Sequence, residues 1–162
     1  MADIVLTDAQ FEAMLLPDTL LPSGLNGDEI REGIRSLKGS MLRQEIYALD
    51  DTPLTGNPYT VAESNFTIRT LQPVGNNRYA VFFTHPRETI TFHYERNPAD
   101  PRVSHTLTFA VDDYGNVLTS AAIGYARRAP EFEEQAQTLA TLTESGYTNA
   151  ILEDHAYRTP MP

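Results

Sequence analysis

His93, Glu95 and His105 come closest to a metal site in type and spacing. Imidazole nitrogens and a carboxylate are zinc-ligand types, and a β-strand places every second residue on one face. If the strands flanking NPADP (97–101) pair so that Glu95 opposes His105, His93 lies diagonally on the same face and the three converge. That arrangement needs one particular register and leaves the usual fourth ligand unassigned. A cross-strand contact between Glu95 and His105 that stabilises the sheet is the plainer use of the same residues, so neither a metal nor a cofactor is assigned.

The acidic pairs Asp50 and Asp51, Asp112 and Asp113, and Glu153 and Asp154 have the residue types of general acid/base or glycosidic chemistry. Each falls at an expected strand end, where an Asp side chain commonly bonds its own backbone in a turn. Serine, histidine and aspartate are present, but nothing in the sequence brings a trio together. There is no phosphate-binding glycine loop, Walker lysine, HExxH, GxSxG or EF-hand pattern. The absence of cysteine removes thiolate ligands, thiol nucleophiles and disulfides together. No catalytic residue follows, and the chain reads as non-enzymatic. Eight tyrosines and no tryptophan leave sugar stacking as the alternative, a carbohydrate- or other ligand-binding β-module. Against it, Tyr59, Tyr79, Tyr94 and Tyr125 suit half-buried sheet positions with their hydroxyls at the edge.

Such residues need a scaffold, and 162 residues, 41% of them hydrophobic, suffice for one core. A formal charge of -10 with twelve scattered Lys and Arg disfavours nucleic acid and anionic membrane surfaces. No apolar run approaches the roughly eighteen residues of a membrane span. The start, MADIVLTDAQ, has neither a basic n-region nor an apolar h-region. If the parent protein is secreted, its signal is expected elsewhere or its export takes another route.

Residues 7–16 suit a short helix. A clearer one begins at Asn26, with Glu29 at the capping-box position, Ile30, Ile34 and Leu37 on one stripe, and Gly39 as a stop. From Ser40 the hydrophobic period shortens to two, predicting strands at Met41–Leu49, Tyr59–Leu71, Arg78–His85, Glu88–Arg96, Ser104–Asp112 and Asn116–Arg127. Short links, DDTPLTGNP, PVGNN, HPRE, NPADP and DDYGN, favour antiparallel neighbours. Arg78–His85 carries bulky residues on both faces and is expected at the sheet's centre. Residues 131–145 fit either helix or strand, and YTNAILEDHAY suits a further short strand. The expectation is a mainly β fold: an antiparallel meander of about six or seven strands with one or two short helices near the N-terminus. It divides into an irregular or helical segment (1–39) packed on the sheet, a sheet core (40–128), and an acidic connector with a terminal strand (129–162).

With the strands placed, YALD (47–50), HYER (93–96), DPR (100–102), YGNVL (114–118) and YRTP (157–160) occur in order within longer similar stretches. Together they resemble the middle-to-C-terminal region of the B subunit of bacterial insecticidal toxin complexes, from about Leu20 onward. The resemblance implies a secreted complex in which the B subunit joins a C subunit to form a hollow β-sheet shell built around RHS/YD repeats. This shell encloses the toxic part of the C subunit, and a propeller elsewhere in B docks on the pore-forming A subunit. DDYGNVL looks like one YD-type turn. The chain is far shorter than a whole B subunit and has neither propeller repeats nor a tandem YD array, so it reads as one domain cut from a larger subunit. The resemblance transfers no functional residue. The expected partners are the rest of the B subunit, the C subunit and, indirectly, the A subunit. The isolated piece is expected either to self-associate along a strand edge or to fold its terminal segments over one.

Overall fold

A computed structural model describes residues 15–162. Most of the expected helix at 7–16 lies outside them. Helix α1 (Gly27–Arg35) begins where Asn26 predicts: its side chain accepts from the amides of Asp28 and Glu29, and Glu29 returns a bond to the Asn26 amide. Its single buried residue is Gly33, set against Phe82 and Leu21. The expected apolar stripe stays largely open, with Ile34 53% exposed.

Six strands form one antiparallel sheet in chain order: β1 (Arg43–Ile46), β2 (Thr60–Gln72), β3 (Val81–His93), β4 (Arg102–Val111), β5 (Val117–Gly124) and β6 (Leu139–Glu144). A separate hairpin, β7 (Ile151–Glu153) and β8 (Ala156–Arg158), follows. A mainly β meander with a helix near its start is therefore the architecture. Residues 131–145 satisfy both expectations in part, with a single 3₁₀ turn at Glu133–Ala136 before β6.

One strand boundary is corrected. HPRE (85–88) is not a turn, and the strands expected on either side of it are the single strand β3. Arg87 has no partner where Asn65 pairs with Glu88 and Phe66 with Pro86, so β3 accommodates Pro86 at a bulge. The odd residue inverts the faces of β3 relative to its sequence parity. Before the bulge β2 buries Val61 and Asn65 on one face; beyond it Phe66 and Ile68 are buried on the other, where β3 brings Phe82 to meet α1. The most buried strand is thus β2, although β3 lies inside the sheet as expected.

The two ends of the sheet edge are treated differently. β1 pairs with β2 only over residues 60–63. Beyond this, Leu20 bonds through its N–H to the Phe66 carbonyl and through its carbonyl to the Ile68 N–H, and Thr19 Oγ1 accepts from the Phe66 amide. This strap covers part of the β2 edge. At the other side all six residues of β6 are exposed.

Between β4 and β5, Asp112 Oδ1 accepts from the amides of Tyr114 and Asn116, and Gly115 takes a φ of 89°. A Cβ there would stand 3.0 Å from Phe83 Cζ. Gly115→Ala is expected to lose about 1–2 kcal/mol through the left-handed backbone, plus a packing loss against Phe83. Gly39→Ala, at a φ of 90° with nothing within 4 Å, isolates the backbone part, so thermal unfolding of both variants separates the contributions.

Candidate functional site

The sheet register decides what the candidate ligands do. Ile90 opposes His105 and His93 opposes Arg102. The register that would place Glu95 against His105 is displaced by an odd number of residues, so His93 and His105 lie on opposite faces. Glu95 lies beyond the strand at a φ of 50° and accepts from Arg102 at 2.7 Å. The three do not converge, and among the described residues no group of three or more His, Asp or Glu is placed to hold a metal ion.

His105 belongs instead to a polar row that crosses β2, β3 and β4 and reaches Tyr125 just past β5. Its Nδ1 is 3.0 Å from the Tyr125 hydroxyl, and its Nε2 is 3.4 Å from Glu88 Oε2 without hydrogen-bond alignment. Glu88 also accepts from Asn65 Nδ2, which donates to the Pro17 carbonyl as well. These bonds tie the N-terminal strap to the sheet.

The ionic residues concentrate where the β1–β2, β3–β4 and β5–β6 loops meet. Arg96 reaches from the second loop into the first and donates to both oxygens of Asp50, at 2.6 and 3.1 Å, and to Thr52 Oγ1. Its guanidinium lies over the Tyr59 ring, and its carbonyl accepts from Asn57 Nδ2. Asp100, 8% exposed, joins the second loop to the third, accepting from Arg127 Nε and Nη2 and from the Arg128 amide. YALD and HYER, far apart in sequence, are thus two halves of one clasp, and DPR supplies half of the next. Sequence reasoning singled out these motifs but could not see the pairing, since charge complementarity alone names no partner.

Hydrogen bonds from Arg96 hold the Asp50 carboxyl well below the usual carboxylate range, and those from Arg127 depress Asp100. A depressed carboxylate stabilises the fold fully above its unfolded value of about 3.9 and loses that contribution as pH falls toward the folded value. The protein is therefore expected to lose stability more steeply below about pH 4 than the Asp50→Asn or Asp100→Asn variants, which start less stable at neutral pH. Thermal unfolding across an acid pH series measures the convergence.

The other candidates are likewise structural. Asp112 makes its turn, Asp113 pairs with Arg69 at 2.8 Å, and Glu153 lies 3.2 Å from His155. Tyr79 lies under Arg78, Tyr94 stacks on Phe92, and Tyr125 bonds His105. These tyrosines are engaged separately and form no row.

The register also distinguishes the two faces between β2 and β6. One carries the rows Glu63, Ile90, His105, Ile123, Ala140 and Asn65, Glu88, Leu107, Ala121, Leu142. The opposite face carries Ala62, Thr91, Ser104, Gly124, Leu139 and, beside it, Ser64, Thr89, Thr106, Ala122, Thr141.

A family profile described as the insecticide toxin TcdB middle/C-terminal region matches residues 32–157. No curated protein matches. Among solved structures, the TcdB2-TccC3 complex superposes with a TM-score of 0.77 at 23% identity, over 96% of this chain and 9% of that one. TcdB2-TccC3 without its hypervariable C-terminal region gives 0.73 at 27% identity, over 85% and 7%. The Photorhabdus luminescens Tc holotoxin pore gives 0.70 at 28% identity, over 83% and 7%. The chain spans less than a tenth of each of these relatives' chains.

Proposed function

Because this chain belongs to the family of the TcdB middle/C-terminal region, we propose that it is a non-enzymatic strip of the β-sheet shell through which a secreted toxin-complex B subunit encloses part of its C subunit. The observation that carries this reading is the strand order. The meander β1 to β6 ends in an edge strand exposed along its whole length, a row of backbone groups ready to receive the next strand of a wall. Many large apolar side chains outside the core are also open to solvent, among them Leu139, Leu142, Leu71 and Phe109. Such surface fits a piece whose neighbours complete it. The clasps fit the same role, since they fix three loops at one end of the strip with side chains that would otherwise be candidates for chemistry. Shell enclosure and contact with the C subunit are proposed for a whole B subunit, and this chain spans less than a tenth of the similar solved chains.

Hydrogen exchange tests the edge. The outward-pointing amides of residues 139–144 are expected to exchange rapidly in the isolated chain and at least an order of magnitude more slowly in the full B–C complex. Equal exchange in the two states would mean that β6 has no neighbour and that the chain is not wall.

A further inference from the structure

Charge stops at the margin of one face of the sheet. The chain carries 22 acidic and 12 basic residues, yet the row Ser64, Thr89, Thr106, Ala122, Thr141 holds none of them, and neither does the row beside it. A third row continues the pattern with Thr108, Ser120 and Thr143. The nearest charged residue on this face along β4 is Arg102, which is turned to Glu95. With strands about 4.8 Å apart, the patch extends roughly 19 Å across β2 to β6. Its side chains are small, Leu139 at the outer edge is its one large apolar group, and past Ser64 the same face of β2 and β3 continues into Phe66, Ile68 and Phe82, where α1 packs. Ser104, Thr106, Ala122 and Thr141 are exposed, while Ser64 and Thr89 satisfy each other at 3.0 Å. The opposite face differs in kind: it carries Glu63, Glu88 and His105 among Ile90, Leu107 and Ile123, and the N-terminal strap is bonded to it through Asn65 and Glu63.

We infer that the hydroxyl face is the inner face of the wall, turned toward the enclosed polypeptide of the C subunit. This inference rests on the shell reading above and adds its orientation. An apolar wall would hold any exposed apolar side chain of an enclosed polypeptide, and a charged wall would attract one sequence and repel another. A similar solved complex, TcdB2-TccC3, is one from which a hypervariable C-terminal region is absent, and a wall facing variable sequence cannot rely on complementarity. Small uncharged hydroxyl side chains form no pocket and no strong field. The opposite face carries the strap at β2 and, at its outer strand, leaves Ala140 and Leu142 open.

The chain lacks cysteine, so single thiols report cleanly. Thr106→Cys and Ala122→Cys place a thiol on the hydroxyl face; Ala140→Cys and Leu142→Cys place one on the other face at exposed β6 positions. Each is introduced into the full B subunit, in a background without other reactive thiols, and treated with a maleimide on a polymer too large to enter a closed shell. Labelling is compared between B alone and the B–C complex, and full reaction after denaturation checks that every thiol is intact. The expected result is that labelling of Thr106→Cys and Ala122→Cys falls by an order of magnitude or more in the complex, while Ala140→Cys or Leu142→Cys remains reactive. Protection of the other face with free reaction at Thr106→Cys overturns the orientation and leaves the shell reading standing. Protection of both faces shows a covered outer surface as well and likewise removes the assignment. Protection at none of the four positions overturns the shell reading itself.

Discussion

Ile68→Ala is expected to destabilise the isolated chain by about 2–5 kcal/mol, the range for truncating a buried large aliphatic side chain. Ile68 is 2% exposed and shares the buried core with Phe66 on the same face and Val61 before the bulge. That core is small for a chain of this length, so the loss is a large fraction of a typical total of about 5–15 kcal/mol. At roughly 2–4 °C per kcal/mol for a domain of this size, the melting temperature should fall by on the order of ten degrees. Leu139→Ala supplies the contrast. Leu139 is 66% exposed on β6, and its truncation is expected to change the isolated chain by no more than about 0.5 kcal/mol. A large loss from Leu139→Ala, or a negligible one from Ile68→Ala, would show that the stability of the chain resides outside the described core.

Residues with local signatures were read correctly: Asn26 and Glu29 cap α1, and Gly115 serves the hairpin of DDYGN. The alternation in Glu88–Arg96 correctly divided Ile90 and Phe92 from Thr89 and Thr91. Pro86 misled because proline beside a polar cluster ordinarily marks a turn, and only the partner strand reveals that Arg87 is a bulge. Arg78–His85 reads as doubly buried because bulky residues occupy both parities, but the strand begins only at Val81, and Tyr79 and Val81 are exposed. The proposed Glu95 to His105 pairing failed for a related reason. Register across a loop depends on where strands stop, and Glu95 and Arg96 leave the strand with positive φ. The edges were legible only as alternatives: the strap at Leu20 covers part of one edge, while β6 remains open.

The clasps show how distinctive sequence need not mean chemistry. HYER and YALD stand out because Arg96 and Asp50 must meet across 46 residues of chain, and Asp100 meets Arg127 across a third loop. On the proposed shell reading, these clasps hold the loops at one end of the strip in fixed geometry. Removing a clasp should therefore loosen loops and leave the strand register intact, in contrast to Ile68→Ala, which acts on the sheet itself.

The second large effect belongs to the assembly. On the proposed shell reading, excising this strip from the B subunit would remove six consecutive strands and leave the strand next to β6 without its partner. The central claim is tested most directly by co-expressing B lacking residues 15–162 with the C subunit and following limited proteolysis of the enclosed C region. The account predicts that the enclosed region, protected in the intact complex, is cleaved in the deleted one as fast as in free, unassembled C subunit. A sealed complex whose enclosed region stays protected without this strip would contradict it.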